Sequence, residues 1–152
     1  MIVACWSGPR NISTAIMRSW SSRKDTFVTD EPFYAYYLNE TQSNHPMREK
    51  IINHYLSDYD KIVNYLTNEI PNQKPIWYQK HMAHHLIDLS EIKWIKKCQN
   101  CILLRHPKEV ISSYIVKNNL QKVEELGYPQ QYEIAKFLKK SNKRFRVIDS
   151  ED

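Results

Sequence analysis

Ile2-Val3-Ala4-Cys5-Trp6-Ser7-Gly8-Pro9-Arg10-Asn11-Ile12-Ser13-Thr14-Ala15-Ile16-Met17 opens the chain as a short apolar strand, a tight polar loop and a helix start. Such a junction aims backbone N–H groups and the positive end of a helix dipole at one point, where an anion is favoured. Arg10 adds a permanent charge with fork geometry, and Ser13 and Thr14 add hydroxyl donors. A phosphate or a sulfate is the expected ligand. The loop is not a Walker A loop, which reads G-x-x-x-x-G-K-[ST]. Gly8 is the only nearby glycine, and Arg10 stands where a lysine would be sought. An ordinary ATPase or GTPase is therefore disfavoured.

Working outward, short apolar runs at 2–6, 26–29, 76–78, 101–104 and 145–148 read as strands. Between them lie stretches with apolar residues at helical spacing, at 13–21, 47–56, 59–70, 107–117 and 132–140. Pro107 suits a first helical turn. Residues 41–46 read as a polar loop and 121–130 as a mixed connection. Strands alternating with helices predict an α/β fold, a three-layer sandwich around a parallel sheet, formed by residues 1–152 as one domain. The strand at 145–148 has no following helix to cover it, so it is expected at a sheet edge or in a shortened form of a longer domain.

Length and composition bound the function. The 152 residues, 41% of them hydrophobic, suffice for a sizeable core. Lys+Arg 22 against Asp+Glu 17 gives +5, which favours an anionic ligand but is too modest to argue for nucleic acid. Much of the excess lies in one run from Lys136 to Arg146, read as a solvated helix end. Cys98 and Cys101 form a lone C-x-x-C without a second pair to complete a zinc site, so all three cysteines are expected as reduced thiols. No apolar run approaches the ~18 residues of a membrane span, and no basic leader is visible. A cytoplasmic location is expected.

A second stretch repeats the opening logic. In Cys101-Ile102-Leu103-Leu104-Arg105-His106-Pro107-Lys108-Glu109-Val110-Ile111-Ser112-Ser113 an arginine closes a strand, a proline starts a helix, and a serine follows two turns on. Arg105 and Ser113 are placed to grip an anion. The two stretches together resemble the P-loop-like sulfotransferases that use 3′-phosphoadenosine 5′-phosphosulfate. In that family P-[RK]-[ST]-G-[ST]-[ST] holds the 5′-phosphosulfate, and Arg10, Ser13 and Thr14 match it while Asn11 and Ile12 depart. R-[DN]-P-[RK]-[DE]-x-x-x-S holds the 3′-phosphate, and 105–113 match it with His106 as the one departure. Trp6–Ala15 and Asp30–Ala35 resemble the bacterial branch, which carries W-S-G-P-R-[SN]-x-S-T-A and D-E-P-[FL]-Y-A. The resemblance implies a P-loop nucleotide-binding fold. It also implies that Arg10, Asn11, Ser13, Thr14, Arg105 and Ser113 bind this co-substrate, with no metal required.

Sulfuryl transfer needs positioning, charge stabilisation and a base for the acceptor hydroxyl or amine. Arg10 would neutralise charge on the leaving phosphate. Glu31 follows the second strand, where the resemblance places a catalytic glutamate; it could instead cap the helix begun at Pro32. His81 is expected just after the third strand and lines up with the K-x-H histidine of cytosolic sulfotransferases, although Gln79 replaces the lysine. His81, His84 and His85 would share a helix face, but no further ligand supports a metal. Phe33 fits a core position, and Tyr34, Tyr36 and Tyr37 could line an acceptor pocket. The leading expectation is transfer to a small-molecule acceptor, with a homodimer possible through the last strand. The rivals are a non-catalytic anion-binding form of the fold and a small-metabolite kinase. A transaminase ranks last, because no lysine sits in a recognisable cofactor context.

Overall fold

The computed structural model describes residues 1–116 and 118–151. Five parallel strands, β1 (Ile2–Ser7), β2 (Thr26–Asp30), β3 (Ile76–Met82), β4 (Gln99–Leu104) and β5 (Phe145–Asp149), form one sheet in the order β2-β3-β1-β4-β5. Among the described residues six α-helices lie between them: α1 (Ser13–Ser21), α2 (Tyr34–Thr41), α3 (Arg48–His54), α4 (Tyr59–Thr67), α5 (Pro107–Ile115) and α6 (Tyr128–Lys140). The expected α/β architecture is what the chain adopts. Alternate residues of each strand face opposite layers. On one face Cys5, Tyr78 and Leu103 pack beneath Ile16, Met17 and Trp20 of α1. On the other, Trp6, Trp77 and Ile102 pack beneath Ile62 and Leu66 of α4 and Ile134 and Leu138 of α6.

Local chemistry sets the helix ends. The Asp58 carboxylate caps α4 by accepting from the Lys61 N–H at 2.9 Å. Pro107 begins α5, and His106 Nδ1 accepts from the Lys108 N–H at 3.3 Å. Helix α4 stops at Thr67 rather than at Ile70, because Ile70 precedes Pro71 and is held extended. Helix α6 starts four residues earlier than the pattern indicated, at Tyr128, directly after Gly127 in a left-handed conformation. The expected helix end at Lys117 lies outside the described residues. The last strand is an edge strand, as expected.

One element departs from the sequence-based reading in a way that matters. Strand β3 does not end at Tyr78 but continues through Gln79, Lys80 and His81 to Met82, and all of these are buried. The C-x-x-C is not a unit. Cys98 packs into the α4/α6 layer, whereas Cys101 lies on the opposite face beside Cys5.

The only two glycines of the sequence, Gly8 and Gly127, meet. A Cβ on Gly8 would sit 2.2 Å from the Leu126 carbonyl oxygen, and one on Gly127 would sit 3.3 Å from Gly8 Cα. Bare backbone here lets the loop after β1 seat against the turn before α6. Gly8→Ala is expected to destabilise the fold by about 1–3 kcal/mol, read as a lowered urea midpoint.

Candidate functional site

The chain leaves β1 toward β2 on one side and leaves β4 toward β5 on the other, so the carboxyl ends of these adjacent strands open a crevice. Both arginine motifs emerge there. Arg10 (φ 60) and Ile12 (φ 43) bend the loop through left-handed backbone conformations before α1 begins at Ser13. The Ser13 and Thr14 N–H groups precede the first carbonyl bond of α1, which runs from the Ala15 N–H to Ile12 O at 2.9 Å. Buried Asn11 pins this loop to the neighbouring strand by donating to the Leu103 carbonyl at 2.7 Å. Gln131 of α6, also buried, donates to Trp6 O and Leu103 O, each at 2.9 Å. One glutamine amide thus satisfies carbonyls of both splaying strands.

Arg10 and Ser113, far apart in sequence, touch: Arg10 Nε donates to Ser113 Oγ at 2.8 Å. Arg105 Nη1 donates to the Arg10 carbonyl at 3.0 Å, and its Nε donates to Glu109 Oε2 at 2.8 Å. Tyr128 holds the Arg105 carbonyl at 2.8 Å. The structure therefore joins Arg10, Arg105 and Ser113 in one corner beside the helix start carrying Ser13 and Thr14. Among the described residues Arg10 has no carboxylate partner, so its charge is available to an anion. Thr14 is exposed, Ser13 is nearly buried at the first position of α1, and Asn11 spends its amide on the strand.

The next strand ends carry the acid–base groups. Glu31 (φ 45) follows β2, its N–H bonded to the Lys80 carbonyl at 2.9 Å. It does not cap α2, whose start lacks a side-chain cap. Instead Lys80 Nζ donates to Asp30 Oδ1 at 2.7 Å and to Glu31 Oε1 at 2.6 Å. The Lys80 side chain is 3% exposed, against 50% for Asp30 and 30% for Glu31. Burial works against the lysine's charge, but the negative charge of Glu31 and the hydrogen bonds that the ammonium donates to both carboxylates outweigh it and raise its pKa. An open cleft of about 680 Å³ borders these carboxylates, lined among others by Thr29, Tyr34, Ile62 and Tyr65.

His81 is not a residue that follows a strand. It lies inside β3, stacked on Trp6 at 4.3 Å between ring centroids and packed near Phe33 and Trp94. Burial pushes its pKa down to about 3. His84 and His85 do not share a helix face with it but form a tight turn after β3. His85 stacks on Tyr34 and Tyr37, each at 5.0 Å. Burial lowers His84 to about 4, and burial with the neighbouring His84 and Lys80 holds His85 well below its ordinary value. No group of three His, Cys, Asp or Glu side chains is disposed to hold a metal among the described residues. Phe33 is a core residue, as expected.

These neutral imidazoles make stability depend on pH. In the unfolded chain they take a proton as pH falls below about 6.5. In the fold His81 and His84 resist protonation down to about 3 and about 4. The unfolded state therefore binds more protons in between, and stability falls as pH falls. Each of the two is expected to cost about 2 kcal/mol by pH 5. Thermal unfolding from pH 7.5 to 5 should show a falling midpoint, with a smaller fall in His81→Gln.

Sequence reasoning missed Lys80 and Gln131. A lysine within a strand reads as a solvent-facing residue, and only the neighbouring Asp30-Glu31 pair signals a partner for it. Gln131 carries no local signal, since its acceptors lie in two distant strands.

Residues 1–137 match the sulfotransferase domain family, and the chain belongs to it. In Arabidopsis thaliana it is similar to branched-chain-amino-acid aminotransferase-like protein 2 (26% identical over 151 residues, 99% of this chain and 27% of the relative). It is also similar to branched-chain-amino-acid aminotransferase-like protein 1 (28% identical over 113 residues, 74% and 20%). The chain thus spans about a quarter or less of these relatives. Among solved structures it resembles a sulfotransferase from Alicyclobacillus acidocaldarius, with TM-score 0.54 and 12% identity over 97% of this chain and 72% of that one. Shikimate kinase from Acinetobacter baumannii gives TM-score 0.51 and 13% identity over 96% and 82%. At these identities the two structures share the fold. No helix among the described residues is long and apolar enough to cross a membrane.

Proposed function

We propose that the chain binds 3′-phosphoadenosine 5′-phosphosulfate at the Arg10–Arg105 corner and transfers its sulfuryl group to a hydroxyl or amine of a small acceptor. The observation that carries this is the convergence of the two motifs: Arg10 bonds Ser113 while Arg105 bonds the Arg10 carbonyl. Family membership supports it. The start of α1 and the Ser13 and Thr14 hydroxyls would hold the 5′-phosphate oxygens, with Arg10 opposing the charge that builds on the leaving phosphate. Arg105 and Ser113 would take the 3′-phosphate. None of these roles requires a metal ion.

The acceptor would lie in the cleft beside β2, where Glu31 takes its proton. Glu31 is partly exposed, and Lys80 fixes its position from below. His81 is the poorer base. A proton on it would create a charge in the core with no carboxylate bonded to the ring among the described residues, where its one partner is the Gln79 amide oxygen at 3.2 Å. Sulfuryl transfer from the labelled donor to a panel of phenols, alcohols and amines tests the activity. Turnover abolished in Glu31→Gln but kept in His81→Gln is the expected outcome, and the reverse would reassign the base. Binding of Mg-ATP in place of 3′-phosphorylated adenosine nucleotides would favour the small-metabolite kinase.

A further inference from the structure

Cys5 and Cys101 are direct partners in the parallel register of β1 and β4. Neighbouring strands lie about 4.8 Å apart, inside the Cα window that a disulfide spans. Residues opposite one another in a sheet point to the same face, and both thiols belong to the cluster under α1. Lys80 is the in-register neighbour of Cys5 on its other side, and Arg146 is that of Cys101. The row Lys80–Cys5–Cys101–Arg146 thus brackets two sulfurs with two cations. Cys5 is buried, whereas Cys101 is partly exposed in an open groove of about 750 Å³ that Lys143, Arg144 and Arg146 also line. Cys98 cannot join them, because it packs on the opposite side of the sheet.

We infer that Cys5 and Cys101 form a thiol modification site at which a small-molecule disulfide of the glutathione class, anionic and entering by the basic groove, drives formation of an intrachain disulfide. The Cys101 sulfur attacks the reagent, forming a mixed disulfide and expelling one thiolate. The Cys5 sulfur then attacks Cys101, closing the protein disulfide and expelling the second thiolate. The two thiol protons end on the two released thiols, so one disulfide is reduced and one is formed. Access sets this order, because the reagent meets the partly exposed Cys101 in the groove while Cys5 is buried behind it. A hydrogen bond from Cys101 lowers the Cys5 thiol and burial opposes it, while Tyr78 and the charge of Lys80 add to the lowering and stay in place once Cys101 is modified, which suits Cys5 to the internal second step. The bond would tie β1 to β4 directly behind the loops that carry Arg10 and Arg105.

The folded protein is incubated with oxidised glutathione, alkylated without reduction, and mapped by mass spectrometry. The expected product has lost two hydrogens and yields a linked Cys5–Cys101 peptide pair, with Cys98 alkylated. In Cys5→Ser the second step is blocked, and the glutathione adduct should persist on Cys101. A Cys98–Cys101 link, a stable Cys101 adduct in the unmutated protein, or full alkylation of all three thiols while the protein remains folded would overturn the assignment. Cys98→Ser should leave the expected product unchanged.

Discussion

Arg10→Ala and Arg105→Ala should each weaken binding of adenosine 3′,5′-bisphosphate, the product of sulfuryl transfer, by about 2–5 kcal/mol, or tens- to thousands-fold. Neither change should much disturb the fold. Arg10 is exposed and among the described residues bonds only Ser113 with its side chain, and Arg105 is paired at the surface with Glu109. Exposed pairs of that kind contribute about 0–1 kcal/mol to stability. The two losses should not add, because Arg105 also holds the Arg10 carbonyl, so removing it loosens the loop that presents Arg10. Ser113→Ala should cost less, about 1 kcal/mol of binding. Lysine at either position keeps the charge but not the fork, and should fall between wild type and alanine. Titration calorimetry reads all of these. Unchanged affinity in both alanine variants would remove the anion corner from the account.

Lys80→Met should be among the most destabilising single changes, costing about 3 kcal/mol. That is the low end for breaking a buried ion pair, because Asp30 and Glu31 keep contact with water. The lysine joins β3 to the end of β2 and holds the carboxylate that the proposed mechanism uses. Its pairing contributes fully while the unfolded lysine is protonated, below about pH 10.5, and is lost as pH rises through the raised folded value. Asp30→Asn should cost far less, since Glu31 still neutralises the ammonium. Chemical denaturation of the two variants separates them. A Lys80→Met protein within about 0.5 kcal/mol of wild type, the range of ordinary surface changes, would contradict the role given to Lys80.

Much of the fold can be read from the chain because its signals are local. Ser13–Ser21 forms the helix that its apolar spacing indicates, and the five strands begin at or within two residues of where the apolar runs begin. The end of β3 was not legible. Gln79, Lys80 and His81 are polar, yet each is buried against a partner that the sequence does not reveal. Gln79 donates to the Leu66 carbonyl at 2.9 Å, Lys80 meets two carboxylates, and His81 stacks on Trp6. The same tertiary contacts moved His81 from a loop into the core. Both arginine motifs were visible as separate anion sites. The resemblance assigns both to one co-substrate, but the direct Arg10–Ser113 and Arg105–Arg10 bonds were not legible, because they depend on the adjacency of Ile2–Ser7 and Gln99–Leu104 in the folded sheet.

The most direct test is calorimetric titration of the folded chain with adenosine 3′,5′-bisphosphate, run beside Mg-ATP. Saturable one-site binding of the bisphosphate, with no matching response to Mg-ATP, is the predicted result. A folded chain that ignores the bisphosphate, or that binds Mg-ATP in preference to it, would contradict the assignment of the Arg10–Arg105 corner to 3′-phosphoadenosine 5′-phosphosulfate.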